Sequence, residues 1–477
     1  MNISQVNRFL IYCVISMVVP SVVHATGHSL SQLDHQEIGQ IVIAMDTKDT
    51  DMRSTEHVAV EARVADANAR ELSTKGLLTL DESINIAVQD NPGLAEMQAR
   101  AEAMSAIPSQ AGTLPDPRIS FNAMNLPVDT FDIAQEPMTQ MQFGISQDIP
   151  FPGKLTLREE AAGYEATAAM NNVDEARLQL VRNVKITWWQ LFNLDQSLII
   201  VMHNQDLLRQ FVEIAQTKYK VGQGLQQDVL LARLELSKLI DLDLRLKGAR
   251  RNEETRLNTL LNISPNHPVH LPAKVNENLP VLVDEQTLYT LADQSRPLLS
   301  KQQNYIQAAH SRVKLAEKDF YPDFRAGATY GFRSGDNPDG SSRPDMASFM
   351  LSMNMPIFTG RKQSKAFDQR RSELLEQKFK LQDLRNMIQA DISTAVSDYR
   401  RSREQVELFG TGIIPQAQQT VSSMIAGYQV NKVDFLNLVR AQITLYNYEI
   451  SYWQMLSEAN QALAKVIATV GVETIYE

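Results

Sequence analysis

The sequence predicts a mainly α-helical fold with a small β part, built as two copies of one helix-strand-strand-long helix-helix unit. Three observations carry this expectation. From Gly153 to Ser264 the chain has no proline and is filled with strong helix formers whose apolar positions step by threes and fours. Four short runs, centred near Phe121, Phe143, Ala328 and Leu351, alternate apolar and hydrophilic residues, as strands with one greasy and one wet face do. Finally, five landmarks recur in the same order, each displaced by between 205 and 209 residues, which marks a tandem duplication. Asn91-Pro92 returns as Arg296-Pro297, and Leu114-Pro115-Asp116-Pro117-Arg118 as Tyr321-Pro322-Asp323-Phe324-Arg325. Ile149-Pro150-Phe151-Pro152-Gly153-Lys154 returns as Met355-Pro356-Ile357-Phe358-Thr359-Gly360-Arg361. Tyr219-Lys220-Val221 and Asp228-Val229-Leu230 return as Tyr428-Gln429-Val430 and Asp434-Phe435-Leu436.

In chain order, residues 1–25 read as a secretory signal: Arg8 supplies the positive charge, Phe9 to Val23 the apolar core, Val23-His24-Ala25 the cleavage site. The only cysteine, Cys13, lies inside it, and the bulky Tyr12 before it is wrong for lipid attachment. The mature chain is thus expected to have no disulfide, thiolate metal site or cysteine nucleophile. Residues 26–77 are polar and irregular, a loosely ordered extension whose His28, His35 and His57 show no helical pairing suited to a metal. Beyond the signal no apolar run reaches the ~18 residues of a membrane-spanning helix. A net charge of −10 argues against a nucleic-acid-binding surface.

The first repeat spans residues 78–263. Leu80-Asp81-Glu82-Ser83 opens a helix with carboxylates in its first turn; Asn91-Pro92 breaks or kinks it, and Pro108, Pro115 and Pro117 stop it near Ala106. Ile119, Phe121 and Ala123, then Met141, Phe143 and Ile145, form the apolar faces of two strands around a polar loop, Pro127 to Pro137. The helix that follows runs to the break at Val221-Gly222-Gln223-Gly224, roughly 67 residues or about 100 Å at ~1.5 Å per residue. Val181, Val184, Trp188, Leu191, Leu198 and Met202 mark its buried stripe, with Asp195 the polar interruption. A helix of that length needs equally long neighbours. Residues 264–285, with Pro265, Pro268, Pro272 and Pro280, form an extended linker.

The second repeat, residues 286–472, has strands around Ala326, Ala328, Tyr330 and Phe332 and around Phe349, Leu351, Met353 and Met355, joined by the loop Arg333 to Pro344. Helix then continues, interrupted near Gly410 to Pro415, up to a short tail at 473–477. Strands of about ten residues suit a tilted crossing of an outer membrane. Four of them cannot close a barrel, since single-chain barrels start at about eight. Three chains would bring about twelve, so a trimer sharing one barrel above a helical tube is expected.

These residues together resemble the TolC-like outer-membrane efflux proteins over roughly residues 78–472. The resemblance rests on Tyr219-Lys220-Val221-Gly222 with Asp228-Val229-Leu230-Leu231-Ala232, on Pro415-Gln416-Ala417 through Tyr428 to Ala441-Gln442, and on the two strand-to-helix junctions quoted above. It implies a homotrimeric outer-membrane duct with a periplasmic helical barrel, docking on a periplasmic adaptor protein fed by an inner-membrane pump of the proton-driven resistance-nodulation-division type. Leu114-Pro115-Asp116-Pro117, Asn125-Leu126-Pro127 and Glu136-Pro137-Met138-Thr139 resemble the heavy-metal and cation efflux branch. Drugs remain open as cargo, a polypeptide-secreting duct is the alternative, and a periplasmic coiled-coil scaffold is disfavoured by the strands.

No catalytic constellation, phosphate loop or zinc motif is present, so neither enzyme activity nor a cofactor is expected. Met138, Met141, Met350, Met353 and Met355 invite a soft-metal reading, but Met141, Met353 and Met355 fall on apolar strand faces, and no metal site is assigned. Trp188 and Trp189 are expected to pack between helices or lie on the tube wall, and Arg325 to sit on the hydrophilic strand face. The sharpest site expectation is the pair of helix-to-helix turns, Val221 to Gln227 and Val430 to Val433. The resemblance implies a gate there, with Asp228 bonded to Tyr428 and Lys432, and Asp434 at the base of the second tip. That second tip is shorter: Asp228 follows Tyr219 by nine positions, Asp434 follows Tyr428 by six. A plain solvated turn is the alternative.

Overall fold

The computed structural model describes residues 76–430, 432–473 and 475–476. The signal segment, Cys13, the three N-terminal histidines and nearly all of the extension lie outside the described residues. The chain divides after Thr74, and every described residue belongs to the second unit.

Helix α1 (Leu80–Asp90) starts on a reciprocal cap: Thr79 accepts from the Glu82 amide while the Glu82 side chain reaches back to the Thr79 amide. Asn91 ends α1 and caps α2 (Pro92–Ser105), its Oδ1 accepting from Leu94 N, with Pro92 in the first turn where its missing N–H costs nothing. The helix ends at Ser105, next to the expected Ala106, but Pro108 does not lead into a loop. It falls in the first turn of a short α3 (Ile107–Gly112), the one stretch of a helix that tolerates proline.

Strands β1 (Arg118–Met124) and β2 (Gln140–Ile149) form a hairpin, as do β3 (Phe324–Phe332) and β4 (Met346–Met353). The four lie in one antiparallel sheet in the order β1-β2-β3-β4, so β1 and β4 are its open edges. Met355, expected on the β4 face, lies beyond the strand's end. The two hairpins obey the duplication residue for residue: Ile119 opposite Ile145 and Phe121 opposite Phe143 reappear as Ala326 opposite Leu351 and Ala328 opposite Phe349.

Helix α4 (Lys154–Lys220) has the expected 67 residues and turns into α5 (Gln226–Leu260). After the linker come α6 (Glu285–Ser295) and α7 (Pro297–Lys318), broken at Arg296 as α1 and α2 are at Asn91. Beyond β4 run α8 (Gln363–Leu408), α9 (Ile414–Gln429) and α10 (Phe435–Val470), the last ending on Gly471 at φ 90°. The interruption near Gly410 to Pro415 is no break: a π-helical turn, Phe409–Ile413, carries α8 into α9. Widening the turn accommodates Pro415, which cannot donate the ordinary helical bond.

The main neighbours of α4 are α5, α7 and α10 rather than its duplicate α8. Its buried stripe differs from the expected one beyond Leu191. Val184, Trp188 and Leu191 are buried, but the seam then passes through Leu194, Val201 and Leu208, leaving Met202 half exposed. A straight helix drifts by ~20° per heptad, and neighbours on several sides follow that drift. Asp195, the polar interruption, is ion-paired with Arg250 of α5. Trp188 and Trp189 pack as expected, Trp188 stacked on Phe192 at 5.6 Å and bonded through Nε1 to the Leu78 carbonyl.

Two apolar clusters hold the helices. One joins α6, α7, α8 and α10 through Leu288, Leu299, Ile392, Tyr399 and Val466. The other joins α4, α5 and α10 near the turns, through Leu208, Phe211, Leu239, Phe435 and Leu438. The proline-rich linker is laid against this frame: Arg250 Nη2 donates to Val269 O (2.8 Å), Val269 N to Glu254 (2.8 Å), and Tyr399 OH to Pro280 O (2.5 Å).

At the α6–α7 break, Arg296 is buried against Glu175 of α4, Nη2 to Oε1 2.6 Å, with both side chains under a tenth exposed. Burial holds the Arg296 guanidinium below its ordinary range, against the pull of Glu175. Arg296→Leu would strand the Glu175 carboxylate in the interior. It should cost about 3–5 kcal/mol, read as a lowered unfolding midpoint, and adding Glu175→Leu should recover most of the loss.

Candidate functional site: the sheet, its junction and the helix tips

Directly opposed residues of an antiparallel sheet share a face, so the register sorts the strands into two surfaces. Ile119, Phe121, Phe143, Ile145, Ala328, Phe349 and Leu351 lie on one, and most of it stands open: Ile119 is 81% and Phe349 88% exposed. Ser120, Asn122, Gln142, Gly144, Ser146, Gly327, Thr329, Ser348 and Ser352 lie on the other. At its helix-proximal end Asp148 takes Arg118 on one side (3.2 Å) and Arg325 on the other. Arg325 is therefore on the hydrophilic face, as expected, and held there by an ion pair.

At the opposite end the two loops clasp each other. Arg343 Nη1 donates to the carbonyls of Ala134 and Glu136, and Arg333 Nη2 to that of Pro137 (2.6 Å). Asn125, at φ 51°, donates to Met138 O, and the buried Thr139 hydroxyl donates to Asn125 O (2.7 Å). The residues that carry the resemblance to the cation branch here close a loop.

Between strands and helices stands a second constellation that sequence reasoning missed. The Lys154 ammonium, almost wholly buried, bridges Asp319 and Asp323 at 3.0 Å each. Asp323 also accepts from Phe151 N at 2.8 Å, and Phe151 stacks on Tyr321 with centroids 4.6 Å apart. The repeated junction motif signalled the place but not the pairing across 165 residues or more of chain.

The tips place the expected gate residues as follows. Asp228 is in the first turn of α5, its carboxylate turned back toward the Leu225 amide. Tyr428 lies in the last turn of α9, its ring against Phe435 (5.5 Å) and beneath the Lys218 ammonium, which is 4.0 Å from the ring centre. Lys218 also donates to the Tyr428 carbonyl at 3.2 Å, so the first tip is tied to the second by a residue the sequence did not single out. Burial, and then the charge of Asp228, push the Tyr428 hydroxyl above its ordinary range, which keeps it a donor. Lys432 closes the second tip, its amide bonding Gly427 O (2.9 Å), and Asp434 starts α10, its carbonyl accepting from Asn437 and Leu438. Asp228 and Tyr428 are thus brought near each other, while Lys432 and Asp434 serve the turn through their backbones.

Among the described residues no cluster of three or more His, Cys, Asp or Glu is arranged to hold a metal, and no helix is long and apolar enough to cross a membrane.

Comparison with known proteins agrees with this geometry. The outer membrane efflux protein family profile matches residues 83–262 and 288–472, the two repeats. The chain is 21% identical over 406 residues to the cobalt-zinc-cadmium resistance protein CzcC of Cupriavidus metallidurans, covering 83% of this chain and 90% of that one. Its fold matches the outer membrane protein VceC of Vibrio cholerae at a TM-score of 0.69 and 18% identity, over 82% of this chain and 96% of that one. It matches CusC with the same score at 16% identity, over 82% and 92% of the two chains. With both repeats matched by the family and the sheet and helices matched by its channel structures, the chain belongs to the outer membrane efflux protein family: an outer-membrane efflux duct with a periplasmic helical extension.

Proposed function

We propose that the chain works as a homotrimer whose pooled strands close one barrel, exporting heavy-metal cations handed on by an inner-membrane resistance-nodulation-division pump through a periplasmic adaptor. One observation carries the trimer: a four-stranded sheet with one apolar face and two unpaired edges. In hydrocarbon each unpaired backbone group costs several kcal/mol, so the edges must pair, and four strands are too few to pair with each other. The relation to CzcC supports cations as cargo. Native mass spectrometry in mild detergent should give a trimer; a folded, membrane-inserted monomer would overturn the reading.

The clasped loops then face the cell exterior and the tips the periplasm. Asp129→Cys and Asp339→Cys should each label in intact cells with an impermeant maleimide, while Gln223→Cys should not. The reverse pattern would invert the topology.

The tips close the duct in this reading, Asp228 accepting from Tyr428 with Lys432 and Asp434 at the second turn. Each link is worth roughly 0.5–3 kcal/mol, and threefold repetition around the axis makes the sum matter. Opening then needs partner contacts that favour the splayed arrangement. Asp228→Ala with Tyr428→Phe should raise single-channel conductance in planar bilayers and sensitise cells to large antibiotics. Removing the carboxylate should matter more, since a charged acceptor makes the stronger bond. Wild-type conductance from an intact trimer of the double variant would place the constriction elsewhere.

A further inference from the structure

The junction between β2 and β3 is used once inside the chain, yet the duplication supplies its parts twice. Phe151 and Lys154 correspond to Phe358 and Arg361, which make the same turn: Lys154 N donates to Phe151 O and Arg361 N to Phe358 O, both at 3.1 Å. Tyr321 and Asp323 correspond to Leu114 and Asp116. Phe358 and Arg361 follow β4, whereas Leu114 and Asp116 precede β1, so the second set sits on the two open edges of the sheet. The parts stand ready and unengaged. Phe358 is 69% and Leu114 48% exposed, and neither Arg361 nor Asp116 has a side-chain partner among the described residues.

We propose that this junction recurs between copies of the chain, with Arg361 of one copy ion-paired to Asp116 of the next and Phe358 packed over Leu114 of the next. The inference rests on the trimer reading and adds its seam. The strand register follows from the same correspondence. Within the chain Ile145 faces Ala328 and Phe143 faces Tyr330. Moving each strand to its duplicate puts Leu351 opposite Phe121 of the next copy, and Phe349 opposite Ala123. That register continues the apolar face across the seam; a slip by one residue would turn Phe121 toward the hydrophilic face. The charges are complementary, and the occupant is a second copy because the pattern to be matched is the chain's own. One difference is built in. Asp319, the second carboxylate on Lys154, corresponds to Gly112, so each seam has a single carboxylate per cation where the internal junction has two.

The test uses the mature chain in outer membranes. A side chain of lysine length separates backbones by more than a disulfide spans, so a short bismaleimide is the probe. Asp116→Cys combined with Arg361→Cys should give cross-linked dimers and trimers, and either substitution alone only monomers. Ser120→Cys with Ser352→Cys, opposed in the inferred register, should cross-link as well. Arg361→Asp should cut the fraction of trimer surviving dodecyl sulfate by roughly tenfold, the joint effect of three weak pairs lost, and Asp116→Arg in the same chain should restore it. Cross-linking through the strand pair but not the junction pair would overturn the junction. Failure of both pairs in a chain that is trimeric by native mass spectrometry would overturn the register too, while leaving the trimer. A monomer would overturn the trimer and the seam together.

Discussion

A β-strand edge in a membrane has nowhere to hide. Water cannot pair its amides and carbonyls there, and β1 and β4 each present a full row of them. The rest of the molecule is arranged around that constraint. The apolar sheet face, with Ile119 and Phe349 almost fully open, would invite aggregation in water and is suited to lipid. The opposite face carries mostly small and polar residues, with Met350 among them, and its charges are gathered at one end, where Asp148 is held between Arg118 and Arg325. Lys154 and its two aspartates then fix the direction in which the helices leave the sheet.

The duplication explains how a modest amount of sequence specifies so much architecture. One hairpin and one long helix, used twice, place equivalent turns at equivalent heights. The halves part company where their surroundings differ. Val221–Leu225 makes a longer tip with Gly222 at φ 74°, while the second tip is shortened and closed by the Lys432 amide on Gly427. A Cβ on Gly427 would come within 2.5 Å of a Val433 methyl group, so any larger residue in the tighter turn would have to push the Val433 side chain aside.

Helix length follows from the absence of proline between Gly153 and Ser264, and strand faces follow from strict alternation, because both are properties of local sequence. The breaks at Asn91 and Arg296 are legible for the same reason. The bonds that join elements are not. Arg296 meets Glu175, Lys154 meets Asp323, Lys218 meets Tyr428, and Arg343 meets Ala134, each across more than a hundred residues, and no local period encodes such a meeting. The shift of the α4 stripe from Met202 to Val201 is hidden likewise, since it depends on which neighbours surround the helix. Pro108 marks the end of α2 correctly but hides the start of α3, because a proline reads the same whether it ends one helix or begins another.

The π-helical turn at Phe409–Ile413 stores one residue of slack in an otherwise continuous rod. Gly410 lies close against the Tyr452 ring of α10, and Phe409 against Tyr448, so the widened turn is seated rather than floating. Each residue of an α-helix advances the rod by about 100°. Taking one residue out of the turn would therefore leave α8 in place and spin α9 about its own axis by that angle. Met424, Ile425 and Tyr428, which now pack against the apolar cluster near the turns, would be carried away from it together. The turn acts as a phase setting: a single insertion or deletion there re-aims an entire helix tip without altering any residue in it.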